Sequence, residues 1–163
     1  MTSSLPFVNI DSLAIIGGGN LGTAIAEGLV KSGFTLPGHI MVTRRNISAL
    51  KGLEEKGILV SDDNSAAVRF ADLVILAIKP FQVGDVLKSV RAELDPQRHL
   101  VCSVITGVTL SDLQGLAGSA FPTVRAMPNT AIAIGSSMTC LCARDASDRQ
   151  LAEVTRIFNG LGM

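Results

Sequence analysis

Three closely spaced glycines, Gly17, Gly19 and Gly22, form the pattern G-x-G-x-x-G within the stretch LAIIGGGNLGTAIAEGLV, residues 13–30. An apolar run precedes them and a helical pattern follows, as a dinucleotide-binding loop between a strand and a helix requires. Gly17 would permit the tight turn, and Gly19 would let a pyrophosphate approach the backbone. Gly22 would let the helix pack closely on the strand.

The helix that follows the glycines would supply the binding groups. Its first turn, beginning at Asn20 and Leu21, would present unpaired N–H groups and the positive end of the helix dipole to an anion. The alternative is a glycine-rich turn without a ligand, because a chain with 16 glycines can contain this pattern by chance.

The end of the second apolar run indicates which dinucleotide the loop would bind. Enzymes that select NAD place an acidic residue about 20 residues after the loop, where it bonds the adenine ribose. This chain has Thr43, Arg44 and Arg45 at that point and no acid. Two guanidinium groups and a hydroxyl suit a 2′-phosphate, so we predict that NADP(H) is preferred over NAD(H). The alternative is that both arginines are merely solvated.

The apolar pattern predicts the elements that position these residues. Continuously apolar runs, typical of strands buried on both faces, occur at residues 13–17, 40–43, 58–60, 73–78, 100–105 and 123–127. Helical patterns cover residues 20–33, 46–57, the stretch after Pro80 and residues 147–161. This alternation predicts an α/β fold with a doubly wound (Rossmann-type), mostly parallel sheet and helices on both faces. We assign residues 11–163 to this single domain and residues 1–10 to an N-terminal arm.

Composition excludes several classes of protein. Hydrophobic residues make up 47% of the 163 residues and charged residues 17%, which argues against disorder. The 14 basic and 14 acidic residues balance, so we expect neither nucleic acid nor a membrane as partner. No apolar run is long enough to span a bilayer, and the N-terminus lacks the pattern of a secretory signal. We therefore expect a cytoplasmic protein.

Cysteine and histidine do not indicate a metal site. Cys102, Cys140 and Cys142 lack C-x-x-C spacing, and no histidine lies near the last two in sequence. We expect no bound metal and interpret the thiols as small buried side chains. His39 and His99 each precede an apolar run, and we expect both to be structural residues at strand edges.

Two later segments should also face the ligand, because ligands of such folds bind outside the carboxyl ends of the strands. These segments are AIKP, residues 77–80, and VITG, residues 104–107. Pro80 and Gly107 would control how closely the backbone approaches the cofactor. Lys79 is either a solvated charge or a group that faces the cofactor, and its sequence context does not separate the two.

Four motifs together resemble the Δ1-pyrroline-5-carboxylate reductase family, whose members catalyse the last step of proline biosynthesis. In chain order they are IIGGGNLGTAIAEGL, ADLVILAIKP, VITGVTL and VRAMPNTA, and the resemblance covers the chain from about residue 11 onward. It implies an NADPH-dependent oxidoreductase that transfers a hydride to the cyclic imine pyrroline-5-carboxylate and forms L-proline.

The resemblance also implies two sets of site residues. The cofactor-binding set is Gly17, Gly19, Asn20, Leu21, Gly22, Thr43, Arg44, Arg45, Asn64, Ala77, Ile78, Lys79, Pro80, Val104 and Thr106. The substrate-proximal set is Met127, Pro128 and Asn129, which would border the nicotinamide. For Asn64 and Asn129 the alternative role is capping of a helix or turn.

Two departures from the family pattern affect the prediction. Ala131 follows MPNT, where the family commonly has proline. The family also has a C-terminal helical domain that forms a homo-oligomer and supplies the substrate pocket, and we expect that this chain lacks it. We therefore assign no catalytic residue, and we expect NADPH binding with little or no reductase activity by this chain alone. The chain would then be either a cofactor domain excised from a longer protein or a natural truncation, and the sequence does not decide between the two.

Two other functions are also open. A related NADP-dependent oxidoreductase, such as a β-hydroxyacid dehydrogenase or a deazaflavin-dependent NADP reductase, would share the N-terminal architecture. The segment VRAMPNT argues against that alternative. The third hypothesis is a non-catalytic NADP-binding module, which the expected lack of a second domain favours.

Overall fold

A seven-stranded sheet in the order β3-β2-β1-β4-β5-β6-β7 forms the centre of the fold. The computed structural model describes residues 9–118 and 121–162, so most of the predicted N-terminal arm, residues 1–10, lies outside the described residues. The strands are β1 (Leu13–Ile16), β2 (Ile40–Thr43), β3 (Leu59–Ser61), β4 (Leu73–Leu76), β5 (Leu100–Ser103), β6 (Thr123–Pro128) and β7 (Thr139–Arg144). Strands β1 to β6 are parallel, and β7 is antiparallel to β6.

Helices connect the strands on both faces of the sheet. The α-helices are α1 (Asn20–Lys31), α2 (Lys51–Glu54), α3 (Asn64–Phe70), α4 (Val83–Val90), α5 (Leu110–Ala117) and α6 (Asp148–Asn159). Short 3-10 helices span Pro37–His39, Ile47–Leu50, Pro80–Gln82 and Thr130–Ile134. Within residues 9–118 and 121–162, no helix has the length and apolar character needed to cross a membrane.

Side chains of β1 alternate between two hydrophobic clusters, because successive residues of a strand point to opposite faces. Leu13 and Ile15 pack in the cluster that includes residues of α1 and α6. Ala14 and Ile16 pack in the cluster that includes residues of α3, α4 and α5. All four are at most 1% exposed, as a strand covered by helices on both faces requires. The predicted doubly wound α/β fold is confirmed.

The predicted elements agree with the structure where the apolar pattern is long. The six predicted runs correspond to β1 to β6, and the helix predicted after Pro80 buries Val83, Leu87 and Val90 as expected. The helix predicted over residues 46–57 is instead a 3-10 turn followed by the four-residue α2. Helices α3 and α5 were not predicted, because each buries only two residues and so has little apolar spacing to stand out in the sequence.

The cysteines have different surroundings, so the expectation of small buried side chains is right only for Cys102. That residue lies in β5 with no exposed surface, and burial raises the pKa of its thiol to about 12. Cys140 and Cys142 lie on β7 and are both exposed. Strand β7 is the last in the sheet order and is largely exposed, so it lacks the continuous apolar run that marks the inner strands.

His99 is a structural residue, as predicted. It is 2% exposed, and its Nδ1 accepts a hydrogen bond from the N–H of Asp95 at 2.8 Å. Its Nε2 lies 3.0 Å from the carbonyl oxygen of Val68, to which the neutral ring donates when Nε2 carries the proton. Removal from water lowers the pKa of this imidazole below its ordinary value of 6.5.

We expect His99 to make the fold less stable in mild acid. Because its pKa is lower in the folded state, the unfolded chain binds the proton more strongly, and stability is lost as the pH falls below 6.5. Replacing His99 with Gln keeps a donor and an acceptor and removes the titration. Urea unfolding at about pH 7.5 and about pH 5.5 should therefore show a smaller loss of unfolding free energy in His99→Gln than in the wild type. Equal losses in both proteins would contradict this role.

Candidate functional site

The glycine loop after β1 is anchored to the end of β2. The amide groups of Gly17 and Gly18 both donate to the carbonyl oxygen of Thr43, at 3.2 and 2.7 Å. Gly17 has a φ of +112°, and a Cβ at this position would lie 2.3 Å from the carbonyl oxygen of Ala77. Only glycine fits such a turn, so the loop sits tightly between the carboxyl ends of β2 and β4.

Gly22 and Gly19 have opposite surroundings. A Cβ on Gly22 would lie 1.9 Å from the carbonyl oxygen of Gly17, so glycine is what allows α1 to start directly against the loop. A Cβ on Gly19 would meet no atom within 4 Å. Gly19 therefore leaves open space at the start of α1, where an anionic ligand can approach the backbone.

The start of α1 lacks the side-chain cap that several other helices have. Asp63, Thr109 and Ser147 cap α3, α5 and α6 by accepting hydrogen bonds from their first-turn amides. The cap residue of α1 is Gly19, which provides no such acceptor, and the first turn contains no acidic residue. The free N–H groups and the positive dipole end are therefore available to an anion, and the residues present fit a dinucleotide pyrophosphate.

The predicted adenine-ribose residues divide into one buried hydroxyl and two exposed cations. Thr43 is 2% exposed, and its Oγ1 donates to Oδ1 of Asn64 at 2.6 Å. Arg44 and Arg45 are exposed, and neither forms a salt bridge within the described part of the chain. Nη1 of Arg44 donates to the carbonyl oxygen of Gly18 at 3.0 Å. The hydroxyl of Thr43 thus donates its hydrogen bond within the protein, and the exposed donors at this strand end are the two guanidinium groups.

The two asparagines differ in their local roles. Asn64 begins α3, but Asp63 caps that helix, with Oδ1 accepting from the amides of Ser65 and Ala66 at 2.8 and 3.1 Å. The alternative role of a cap is therefore wrong for Asn64, which joins β2 to α3 through Thr43. For Asn129 the alternative agrees with the structure, because its Oδ1 accepts from the amide of Ala131 at 3.1 Å.

The carboxyl ends of β1, β4 and β5 lie side by side. The amide of Ala77 donates to the carbonyl oxygen of Ile16 at 2.8 Å, and the amide of Val104 donates to that of Leu76 at 3.1 Å. The remaining residues predicted on this edge vary in exposure. Ile78 is half-buried, whereas Lys79, Pro80 and Thr106 are exposed.

The predicted substrate-proximal residues lie at the end of β6. They take no part in the contacts that join the glycine loop to β2 and β4. Met127 and Pro128 end β6, and Asn129 leads into the 3-10 helix Thr130–Ile134. That 3-10 helix contacts α1. An open cleft of about 980 Å³ lies between them, and its lining includes Gly19, Asn20, Arg44, Lys56 and Ile134.

Gly18 is a site residue that the motif does not single out. Its amide and its carbonyl oxygen are both bonded, to Thr43 and Arg44 respectively. A Cβ at this position would lie 2.5 Å from Cδ2 of Leu50. The pattern G-x-G-x-x-G allows any residue at position 18. The signal in the sequence that could have identified Gly18 is the run of three consecutive glycines, residues 17–19.

The sheet order, the glycine loop and the open start of α1 define a dinucleotide-binding domain of the doubly wound class. A sequence model of the family described as "NADP oxidoreductase coenzyme F420-dependent" matches residues 12–107, and the chain belongs to this family. The predicted resemblance to pyrroline-5-carboxylate reductases is confirmed by the relatives that the chain matches.

Pyrroline-5-carboxylate reductase 1 of Dictyostelium discoideum is 37% identical over 94% of this chain, which spans 30% of that protein. The structure of a pyrroline-5-carboxylate reductase from Coxiella burnetii superposes with a TM-score of 0.88 and 32% identity, covering 95% of this chain and 58% of that one. A Plasmodium falciparum pyrroline carboxylate reductase, solved with NADP bound, is 23% identical and shares the fold with a TM-score of 0.81 over 97% of this chain and 57% of that one.

Alanine at Gly19 and at Gly22 should separate binding from stability. We expect Gly22→Ala to lower the free energy of unfolding by about 1 to 3 kcal/mol, because its Cβ would clash with the backbone of Gly17. Gly19→Ala should lower it by only about 0.5 to 1 kcal/mol, because alanine is a poorer cap residue than glycine. It should also weaken dinucleotide binding, because the methyl group occupies the open space. Urea unfolding and a fluorescence titration with NADPH measure the two effects. Unchanged NADPH affinity in Gly19→Ala would show that the ligand does not approach there.

Proposed function

We propose that this chain binds NADP(H) and is the cofactor-binding part of an enzyme that reduces pyrroline-5-carboxylate to L-proline. The observation that carries the proposal is the open, uncapped start of α1 at Gly19, with Arg44 beside it in the same cleft. Among the described residues neither Arg44 nor Arg45 has an acidic partner. The relatives that the chain matches are pyrroline-5-carboxylate reductases, which supports the substrate, and the NADP bound to the Plasmodium protein supports the cofactor.

The residues of this chain act by binding and orienting the cofactor. The first-turn amides of α1 bind the pyrophosphate, and the glycine loop keeps side chains out of its way. The ends of β4 and β5, at Ala77 to Pro80 and at Val104 to Thr106, set the path toward the nicotinamide. When bound, a reduced nicotinamide supplies the hydride that the imine carbon accepts. The contribution of these residues to this step is to orient the cofactor relative to the substrate.

The preference for NADPH over NADH rests on the end of β2. Arg44 and Arg45 offer charge-assisted hydrogen bonds to a 2′-phosphate, and the chain has no acid there to bond the 2′-hydroxyl of NAD. Each such bond contributes about 1.5 to 3 kcal/mol, which corresponds to about tenfold to a hundredfold in affinity.

Arg45→Ala tests this preference most cleanly, because the side chain of Arg45 has no bonded partner within residues 9–118 and 121–162. We expect the affinity for NADPH to fall about tenfold and the affinity for NADH to stay within about twofold. Titration of both reduced cofactors by fluorescence measures the change. Lys88→Ala removes an exposed positive charge on α4 and is the control for net charge. Equal NADPH affinity in Arg45→Ala and in the wild type would contradict the assignment.

The substrate is tested by following NADPH consumption in the presence of pyrroline-5-carboxylate. We expect the 163-residue chain to bind NADPH, and we expect efficient turnover to need residues outside it, since the relatives are longer. Rapid turnover by the 163-residue chain alone would contradict that expectation.

The related oxidoreductases are tested by parallel assays with a β-hydroxyacid and with a reduced deazaflavin. Of these two alternatives, the description of the matched family favours the deazaflavin-dependent enzyme. NADPH binding by a longer native chain that turns over none of these substrates would instead favour a binding module. A cytoplasmic location and a homo-oligomer of the full-length enzyme complete the proposal. The location rests on the apolar pattern of the sequence, and the homo-oligomer rests on the resemblance.

A further inference from the structure

The side chain of Arg44 reaches back to the glycine loop, whereas Arg45 makes no such contact. We propose that Arg44 is a positioning residue of the loop, in addition to any contact it makes with a 2′-phosphate. Through Gly18 it fixes the backbone that receives the pyrophosphate, so it contributes to the binding of every dinucleotide. This inference rests on the proposed cofactor function and assigns different roles to two adjacent arginines.

Two consecutive residues at the end of β2, Thr43 and Arg44, form hydrogen bonds with the backbone of Gly18. The amide of Gly18 donates to the carbonyl oxygen of Thr43 at 2.7 Å, and its carbonyl oxygen accepts from Nη1 of Arg44 at 3.0 Å. The amide of Arg44 itself donates to the carbonyl oxygen of Ser61 at 3.0 Å, which ties this strand end to β3. The position of the loop therefore depends on β2 and β3. Arg44, the residue directly after β2, makes the connection through its amide and its side chain.

Electrostatics gives this contact a function beyond packing. The carbonyl oxygen of Gly18 carries a partial negative charge, and it lies one residue before Gly19, where the anion approaches. A guanidinium on this oxygen offsets that charge and brings a full positive charge to the site. One guanidinium carries several donors in a fixed plane, and the other N–H groups of Arg44 have no partner among the described residues, so they can bind a phosphate.

Arg45 is the matched control that the chain itself provides. It has the same charge, is also exposed and lies one residue further along. Each substitution removes one positive charge, but Arg44 lies against the loop, so its charge also acts directly on a bound anion. The measurement that isolates loop positioning is therefore made without a ligand, where only Arg44→Ala removes a contact to the loop. The two roles predict different results for NADH, which lacks the 2′-phosphate and needs only the loop.

The first measurement is amide hydrogen exchange in the ligand-free protein. We expect Arg44→Ala to speed exchange at Gly17 and Gly18 by about tenfold relative to the amides of β1, because the loop loses one of its anchors. Arg45→Ala should leave this ratio within about twofold of the wild type. Dividing the exchange rates of the loop amides by those of the β1 amides removes any effect of a change in global stability.

The second measurement is the affinity for both reduced cofactors. We expect Arg44→Ala to lower the affinity for NADH about tenfold, and the affinity for NADPH by at least as much. Arg44→Lys keeps a charged donor and should lie between the wild type and Arg44→Ala in both measurements. A residue that only recognises the 2′-phosphate would leave NADH binding unchanged.

The results distinguish this inference from the proposed function. Unchanged loop exchange in Arg44→Ala, together with a loss of NADPH affinity alone, would overturn the positioning role and leave the cofactor assignment intact. A wild-type chain that binds neither cofactor would overturn the proposed function, and the exchange ratio would still decide whether Arg44 holds the loop.

Discussion

The carbonyl oxygen of Thr43 accepts hydrogen bonds from two consecutive glycine amides, and the geometry of the site depends on this pair of bonds. It is available because Ile16 and Thr43 are register partners in neighbouring parallel strands, so β1 and β2 end at the same level. The chain leaving β1 must therefore turn over the end of β2 before α1 begins. Glycine at positions 17 and 22 is what makes that turn short enough.

The same strand end carries both the anchor of the loop and the two arginines that we propose select the dinucleotide. Thr43 contributes its carbonyl oxygen to the loop and its hydroxyl to Asn64, so its side chain faces inward. Arg44 and Arg45 continue the chain outward and are exposed. The anchor of the loop and the proposed phosphate-binding side chains thus lie within three residues, and a change in one is expected to affect the other.

The sequence predicted the parts of this arrangement that are local. Buried strands such as β1 and β4 are apolar throughout, and the roles of Gly17, Gly19 and Gly22 follow from their spacing along one turn. Strand β7 has no apolar run in the sequence, because it is the last strand of the sheet and most of its residues are exposed. Contacts between distant residues likewise leave no local pattern in the sequence. The bond from Arg44 to Gly18 spans 26 positions, and nothing in either residue's neighbours indicates the other.

The open start of α1 also makes the ligand part of the energetics of folding. A helix of 12 residues begins here without a side-chain acceptor, so its first amides are satisfied by solvent in the free protein. A bound anion would act as the missing cap, and any ligand that binds only the folded state stabilises that state in proportion to the logarithm of its concentration. The lifetime of this domain in a cell would therefore follow the size of its cofactor pool, and a cell short of cofactor would lose the domain faster.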